Sequence, residues 1–97
     1  MRAEREAAKL LAGACHIARL RILRALLDTP LAASDLARIT GRTASGTSQH
    51  LRVLREVGAV VAERRGNVIR YRLSEGRAAE ILATVARAFD PLGRREG

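Results

Sequence analysis

Four side chains between residues 45 and 52 have the spacing to act together. Ser45, Ser48, Gln49 and Arg52 recur at i, i+3, i+4 and i+7, so on a helix they project from one side. Two small hydroxyls, an amide and a guanidinium suit hydrogen bonding to base edges and phosphates. Glutamine can pair in bidentate fashion with adenine, and Ala44 and Gly46 remove bulk that would hold a helix out of a major groove. Glu56 is the only acid on that stretch. Further along, Arg64-Arg65-Gly66-Asn67 makes a basic tip able to straddle a phosphate backbone or reach into a minor groove. A different chemistry is open to Cys15-His16, where a thiol beside an imidazole can bind zinc, another soft metal or heme, or titrate as an activated thiol. The plainer alternative for that pair is a small buried cysteine at a helix junction and a surface histidine. His50, on the edge of the 43–57 segment, reads as a phosphate or packing contact in preference to a metal ligand.

Enzyme chemistry lacks parts. The two histidines are far apart in sequence, no phosphate-binding glycine loop is present, and Asp28 and Asp35 read as helix-end charges. No cofactor is implied. A single cysteine excludes an intrachain disulfide framework, and the opening MRAEREAAKLLAGAC has two glutamates interrupting any signal-like run. No stretch approaches the roughly eighteen apolar residues of a membrane span. The expectation is a cytoplasmic protein without membrane attachment.

Charge and size narrow the partners. The net charge is +8, and 17 of the 18 basic residues are arginine, a usage that GC-rich coding also produces. The excess is not spread evenly. Residues 38–72 carry eight basic and two acidic groups, against six and four in 1–37 and four and four in 73–97. A contiguous basic third suits a polyanion, and nucleic acid fits better than an anionic membrane because no basic amphipathic helix with large apolar anchors is present. At 97 residues the expectation is one domain over 1–97, and 18 of its apolar residues are alanine. So thin a core in a helix-rich chain predicts pairing with a second copy.

The elements that must position these groups follow from periodicity. Helices are predicted over Glu4 to Gly13 (Ala7, Leu10, Leu11, Ala14 in phase), Ile17 to Leu27 (a stripe of Ile17, Leu20, Ile22, Leu23, Leu26, Leu27, with Arg19, Arg21 and Arg24 outward or on the flanks) and Ala32 to Ile39, burying Leu36 and Ile39. Asp28-Thr29-Pro30 ends the second of these. Thr40-Gly41-Arg42 is a turn, and Thr43 is an N-cap for a helix to Val57 whose inward stripe is Thr47, Leu51, Leu54 and Gly58. The period then changes to two: Val60 to Arg64, an Arg65-Gly66-Asn67 link, and Val68 to Leu73, with Ile69, Tyr71 and Leu73 on one face. Ser74 is expected to cap a last helix through Phe89, with Ala78, Ile81, Leu82, Val85 and Phe89 in phase; Asp90-Pro91 stops it before a frayed tail. The fold class expected is mainly α with a small β-hairpin, a winged helix-turn-helix.

The stretches ARLRILRALL at 18–27 and SDLARITGRTASGTSQHLRVLREVGAVVAERRGNVIRYRL at 34–73 resemble the bacterial ArsR/SmtB-type winged-helix repressors, over roughly residues 8–89. The resemblance implies a homodimer joined through the first and last helices, bound to an imperfect inverted repeat in double-stranded promoter DNA until an effector releases it. By position it places Thr43, Ala44, Ser45, Ser48, Gln49 and His50 toward the bases, and Arg64, Arg65, Asn67 and Arg70 on the wing. Arg52, with Arg64 and Arg65, is read as a phosphate contact. The departures are equally specific. The third-helix stretch LAASDLA lacks the cysteine pair of many metal sensors in that family, and 74–89 has Glu75 and Glu80 but no histidine. A two-cysteine redox switch is impossible within one chain. Cys15-His16-Ile17 stands where the family often has Asp-Pro, which leaves Cys15 and His16 as the only effector candidate and leaves open a partner protein that supplies a sensor. The expected function is a sequence-specific transcriptional regulator, a dimeric repressor. The alternatives are an architectural DNA binder without operator choice and a winged-helix protein-interaction module, which sequence preference in DNA binding separates.

Overall fold

In a computed structural model that describes residues 1–88, five helices and three short strands enclose a core supplied by every helix. The expected core position Phe89, the stop at Asp90-Pro91 and the frayed tail lie outside the described residues. Helix α1 (Arg2–Ala14) buries Leu10, Gly13 and Ala14, while Leu11 stays 45% exposed. Cys15 closes it, and His16, in extended conformation, starts α2 (Ile17–Ala25): the ring Nδ1 accepts the Ala18 N–H at 3.1 Å. That bond satisfies one of the unpaired N–H groups that open any helix.

Helix α2 buries Ala18, Ile22 and Leu23, and ends earlier than expected, at Ala25 with Leu26 as C-cap. Its first residue corrects the sequence reading, since Ile17 is 63% exposed. Strand β1 (Leu31–Ala32) follows and was not anticipated; two residues carry no period, and only antiparallel pairing of Leu31 with Tyr71 and Ala32 with Arg70 makes them a strand. The expected hairpin is therefore part of a three-stranded sheet.

Helix α3 (Ala33–Thr40) is held at its start by Asp35, whose carboxylate accepts the Ala32 N–H at 3.3 Å and pairs with Arg38 at 3.0 Å. Leu36 is buried as expected, but Ile39 is 53% exposed and Thr40 takes the inward place, its hydroxyl donating to the Leu36 carbonyl at 2.8 Å. Gly41 then adopts φ +69°, the left-handed conformation that glycine enters without a Cβ clash, and turns the chain into α4 (Ala44–Glu56). Thr43 caps α4 as expected, accepting the Gly46 N–H at 3.0 Å. Thr47, Leu51 and Leu54 are buried under it; Gly58 lies beyond the helix and is exposed, so it does not extend the inward stripe.

Strands β2 (Val60–Arg65) and β3 (Val68–Leu73) pair from Val60–Leu73 to Arg65–Val68, and the sheet order is β1-β3-β2. Arg65 belongs to the strand, so the turn is Gly66-Asn67 alone. Tyr71 and Leu73 pack on the core while Ile69, nearer the tip, is 40% exposed. Ser74 does not cap the last helix. Its hydroxyl donates to the Gly58 carbonyl at 2.6 Å and its N–H to the Ala59 carbonyl at 3.0 Å, tying the strand end to the exit of α4. Helix α5 (Arg77–Ala88) buries Leu82 and Ala86 against the same core. No helix of the described residues is long and apolar enough to cross a membrane.

One close approach sets the relation of α1 to α4. A Cβ built on Gly13 would lie 2.8 and 2.9 Å from the two γ-methyls of Val57, which caps α4. Alanine is the better helix former by about 1 kcal/mol, yet overpacking of this kind costs about 1 to 3 kcal/mol. Gly13→Ala is expected to lower unfolding stability in urea, and Gly13→Ala/Val57→Ala to recover more than the sum of the single changes allows.

Candidate nucleic-acid interface

Helix α4 is amphipathic by construction: with Thr47, Leu51 and Leu54 buried, 3.6-residue geometry turns the opposite side to solvent. Ser45, Ser48, Gln49 and Arg52 are all exposed there, together with Ala44. The expected stripe is thus brought together on one open face. Thr43 lies at its N-terminal edge with its hydroxyl oxygen committed to the cap. His50 is set apart from the stripe. It is half-buried on the flank toward α2, its ring 4.5 Å from that of His16, and its Nδ1 accepts the Arg19 Nε–H at 3.2 Å.

The wing carries exposed charge of its own. Arg64, Arg65, Asn67 and Arg70 are exposed, and among the described residues none of the three arginines is in an ion pair. Strand alternation puts Arg64 on the side of Ile69 and Tyr71, and Arg65 on the side of Val68. The two cations at the tip therefore leave opposite faces of the ribbon. Glu63 would cancel part of this field, but Arg72 engages it at 2.7 Å. That contact holds the Glu63 carboxyl below its usual range and Arg72 above its own.

Two contributors were not foreseen. Arg19, expected outward or on a flank of α2, is half-buried there, its Nη1 donating to the Gly13 carbonyl at 3.0 Å and its Nε to His50. No one-dimensional signal marks a partner 31 residues away. His16, expected as an effector candidate or a surface histidine, caps α2 from the position directly before its first residue. Cys15, the other half of the effector candidate, is exposed and in no disulfide, where the plainer reading expected it buried. Among the described residues no group of three or more His, Cys, Asp or Glu side chains converges in a way that could hold a metal ion.

Comparison with known proteins bears on this geometry. The profile described as "Bacterial regulatory protein, arsR family" matches residues 17–61, which span α2 through the start of β2. The HTH-type transcriptional regulator YgaV of Escherichia coli K12 is 38% identical over 87 residues, covering 89% of this chain and 88% of YgaV. The chain belongs to the arsR family of bacterial regulatory proteins. The HTH-type transcriptional regulator NmtR of Mycobacterium tuberculosis is 44% identical over 64 residues, 66% of this chain and about half (53%) of NmtR. Among solved structures, the transcriptional repressor BigR from Xylella fastidiosa superposes with a TM-score of 0.83 at 31% identity, covering 94% of this chain and 90% of BigR. As an arsR-family winged helix-turn-helix protein, this regulator is a DNA-binding transcription factor, in a family named for regulation and not for catalysis. The helix-turn-helix is α3, Gly41 and α4; the wing is β2 and β3.

The regulator's His50 makes a pH test possible. Burial, then the neighbouring His16, Arg19 and Arg42, hold its pKa below the ordinary value of about 6.5. The unfolded chain therefore takes up the proton first. Stability that depends on a neutral His50 is complete above about pH 6.5 and is lost as the pH falls through the lower folded-state value. Urea unfolding at pH 7.5, 6.5 and 5.5 is expected to show declining stability, and His50→Gln to make the decline shallower.

Proposed function

We propose that the regulator is a dimeric repressor that places α4 in the major groove of each half of an inverted repeat while the wing engages the flanking backbone. The observation that carries this reading is the open face of α4, where Ser45, Ser48, Gln49 and Arg52 stand exposed together with no acid among them. On this face Gln49 and Ser48 read base edges, with Thr43, Ala44 and Ser45 in close approach and His50 on the flank beside the backbone; Arg52, Arg64 and Arg65 hold phosphates, and Asn67 and Arg70 complete the wing contact. Two copies join through α1 and α5. In support, exposed Leu11 and a cavity of about 320 Å³ lined mainly by Ala3, Ala7, Leu10 and Ile81 lie along those two helices. An interface there would cover apolar surface that the thin core of one copy leaves open.

Fluorescence anisotropy of the reduced, metal-free protein against DNA upstream of its own gene and against scrambled DNA of equal length tests the reading. Preference for a dyad by a factor of about 10³ or more is expected, and equal weak binding to both would refute operator recognition. Within the dyad, Gln49→Ala is expected to lose about 1 to 3 kcal/mol and relax preference at one position. Arg65→Ala is expected to weaken all sequences alike and flatten the salt slope by about one unit. Identical behaviour of the two variants would contradict the division of roles.

A further inference from the structure

Where α1 passes into α2, two imidazoles meet the flank of α4. The His16 and His50 ring centroids are 4.5 Å apart with the planes tilted by 51°. In each ring Nδ1 is an acceptor: from the Ala18 N–H in His16, from the Arg19 Nε–H in His50. A ring nitrogen that accepts an N–H carries no proton of its own, so each neutral ring keeps its proton on Nε2. This assignment speaks against a metal. A ligating histidine normally donates from the nitrogen it does not use for the metal, whereas here a cation on Nε2 would set a protonated Nδ1 against another donor. The two rings are arranged as N–H donors, which suits an anion.

The surroundings agree. Arg19 of α2 and Gln49, His50, Arg52, Val53 and Glu56 of α4 line an open cavity of about 480 Å³. Arg19 is already oriented, with Nε on His50 and Nη1 on the Gly13 carbonyl, which leaves Nη2 for an incoming oxygen. With His50 neutral, the two guanidiniums and the Glu56 carboxylate sum to one positive charge, a match for a monoanionic phosphodiester and a poor one for a dianionic phosphate. The cavity includes Gln49 and Arg52, the two long side chains of the open stripe, so a backbone beside α4 would pass it.

We propose that this notch between α2 and α4 seats one phosphodiester of the DNA backbone, with Arg19, Arg52 and the His50 Nε2–H as donors and His16 as a positioning residue that holds the His50 ring. The assignment rests on the DNA-binding reading above and adds a contact from outside the helix-turn-helix and the wing. Because Arg19 also grips the carbonyl of Gly13, the same guanidinium links α1 to the bound backbone.

The test is the salt dependence of affinity for wild type, Arg19→Ala and Arg19→Lys, on a dyad duplex and on an unrelated duplex, with single methylphosphonates introduced in turn along the dyad strand. Arg19→Ala is expected to weaken both duplexes and flatten the log–log salt slope by about one, with Arg19→Lys restoring the slope. One methylphosphonate that weakens wild-type binding is expected to have a smaller effect on Arg19→Ala. A purely structural role would instead leave the slope unchanged and make every methylphosphonate additive with the substitution, and that result overturns the proposal. If Arg19→Ala does not fold, Arg19→Gln carries the same measurements. Dyad preference with an unchanged slope sinks this contact alone; the slope on unrelated DNA reads the contact even where dyad preference is absent. Inorganic phosphate at matched ionic strength is expected not to compete, and competition would reassign the notch to a free anion. Stoichiometric zinc uptake by the wild type that is lost in His16→Ala/His50→Ala would overturn the donor assignment.

Discussion

The seating of α4 is the constraint on which the rest of the molecule depends. Thr47, Leu51 and Leu54 have almost no exposed surface, and burial of two leucines is worth about 1.5 to 3 kcal/mol each. Once they are fixed inward, helical geometry leaves no choice about what faces out. The start of the helix is set by the Thr43 cap, its end by the Ser74 hydroxyl on the Gly58 carbonyl, and its flank by the contact of Val57 with Gly13. A rigid helix presented in this way can use short side chains. Serines reach a base edge only if the backbone that carries them comes close, and alanine and glycine beside them permit that approach.

Electrostatics is arranged around the same helix. The acids of the middle third are few, and Glu63 is spoken for by Arg72, whose guanidinium also lies 3.9 Å from Glu75. These exposed pairs contribute little to stability, since surface ion pairs are worth at most about 1 kcal/mol. Their effect is on the field. With Glu63 neutralised inside the wing, Arg64, Arg65 and Arg70 are left exposed to act on a polyanion. Arg19, bound to His50, carries positive charge from α2 to the flank of α4.

Much of this was legible in the residues, and the failures have identifiable physical causes. All five helices, the hairpin, the Gly41 turn and the Thr43 cap follow from period and local chemistry, which is why the Ser45, Ser48, Gln49 and Arg52 face could be assembled from spacing alone. Strand β1 could not, because two residues become a strand only through a partner about forty positions away. Ser74 carried the same hydroxyl signal as Thr43 and was read the same way, but α5 starts only at Arg77, and the Ser74 hydroxyl donates to the Gly58 carbonyl. Ile17 and Ile39 show that an apolar residue in phase with a stripe is not thereby buried; Ile17 opens α2 one residue ahead of the buried Ala18, and beside Ile39 it is Thr40 that faces the core. Arg19 was visible as a residue and invisible as a tie to α4, since a tertiary hydrogen bond leaves no local pattern, and the ring contact of His16 with His50 leaves none either.

The central claim is that one helix face and one ribbon tip together form the surface that meets DNA. Amide chemical-shift mapping by NMR, with the labelled protein titrated by a duplex carrying its dyad, addresses it most directly. The account predicts that the largest changes fall on residues 43–52 and 64–70, with Arg19 shifting alongside them and the buried face of α4 little affected. Changes concentrated on α3 or on the outer surfaces of α1 and α5, with 45–52 unmoved, would contradict it.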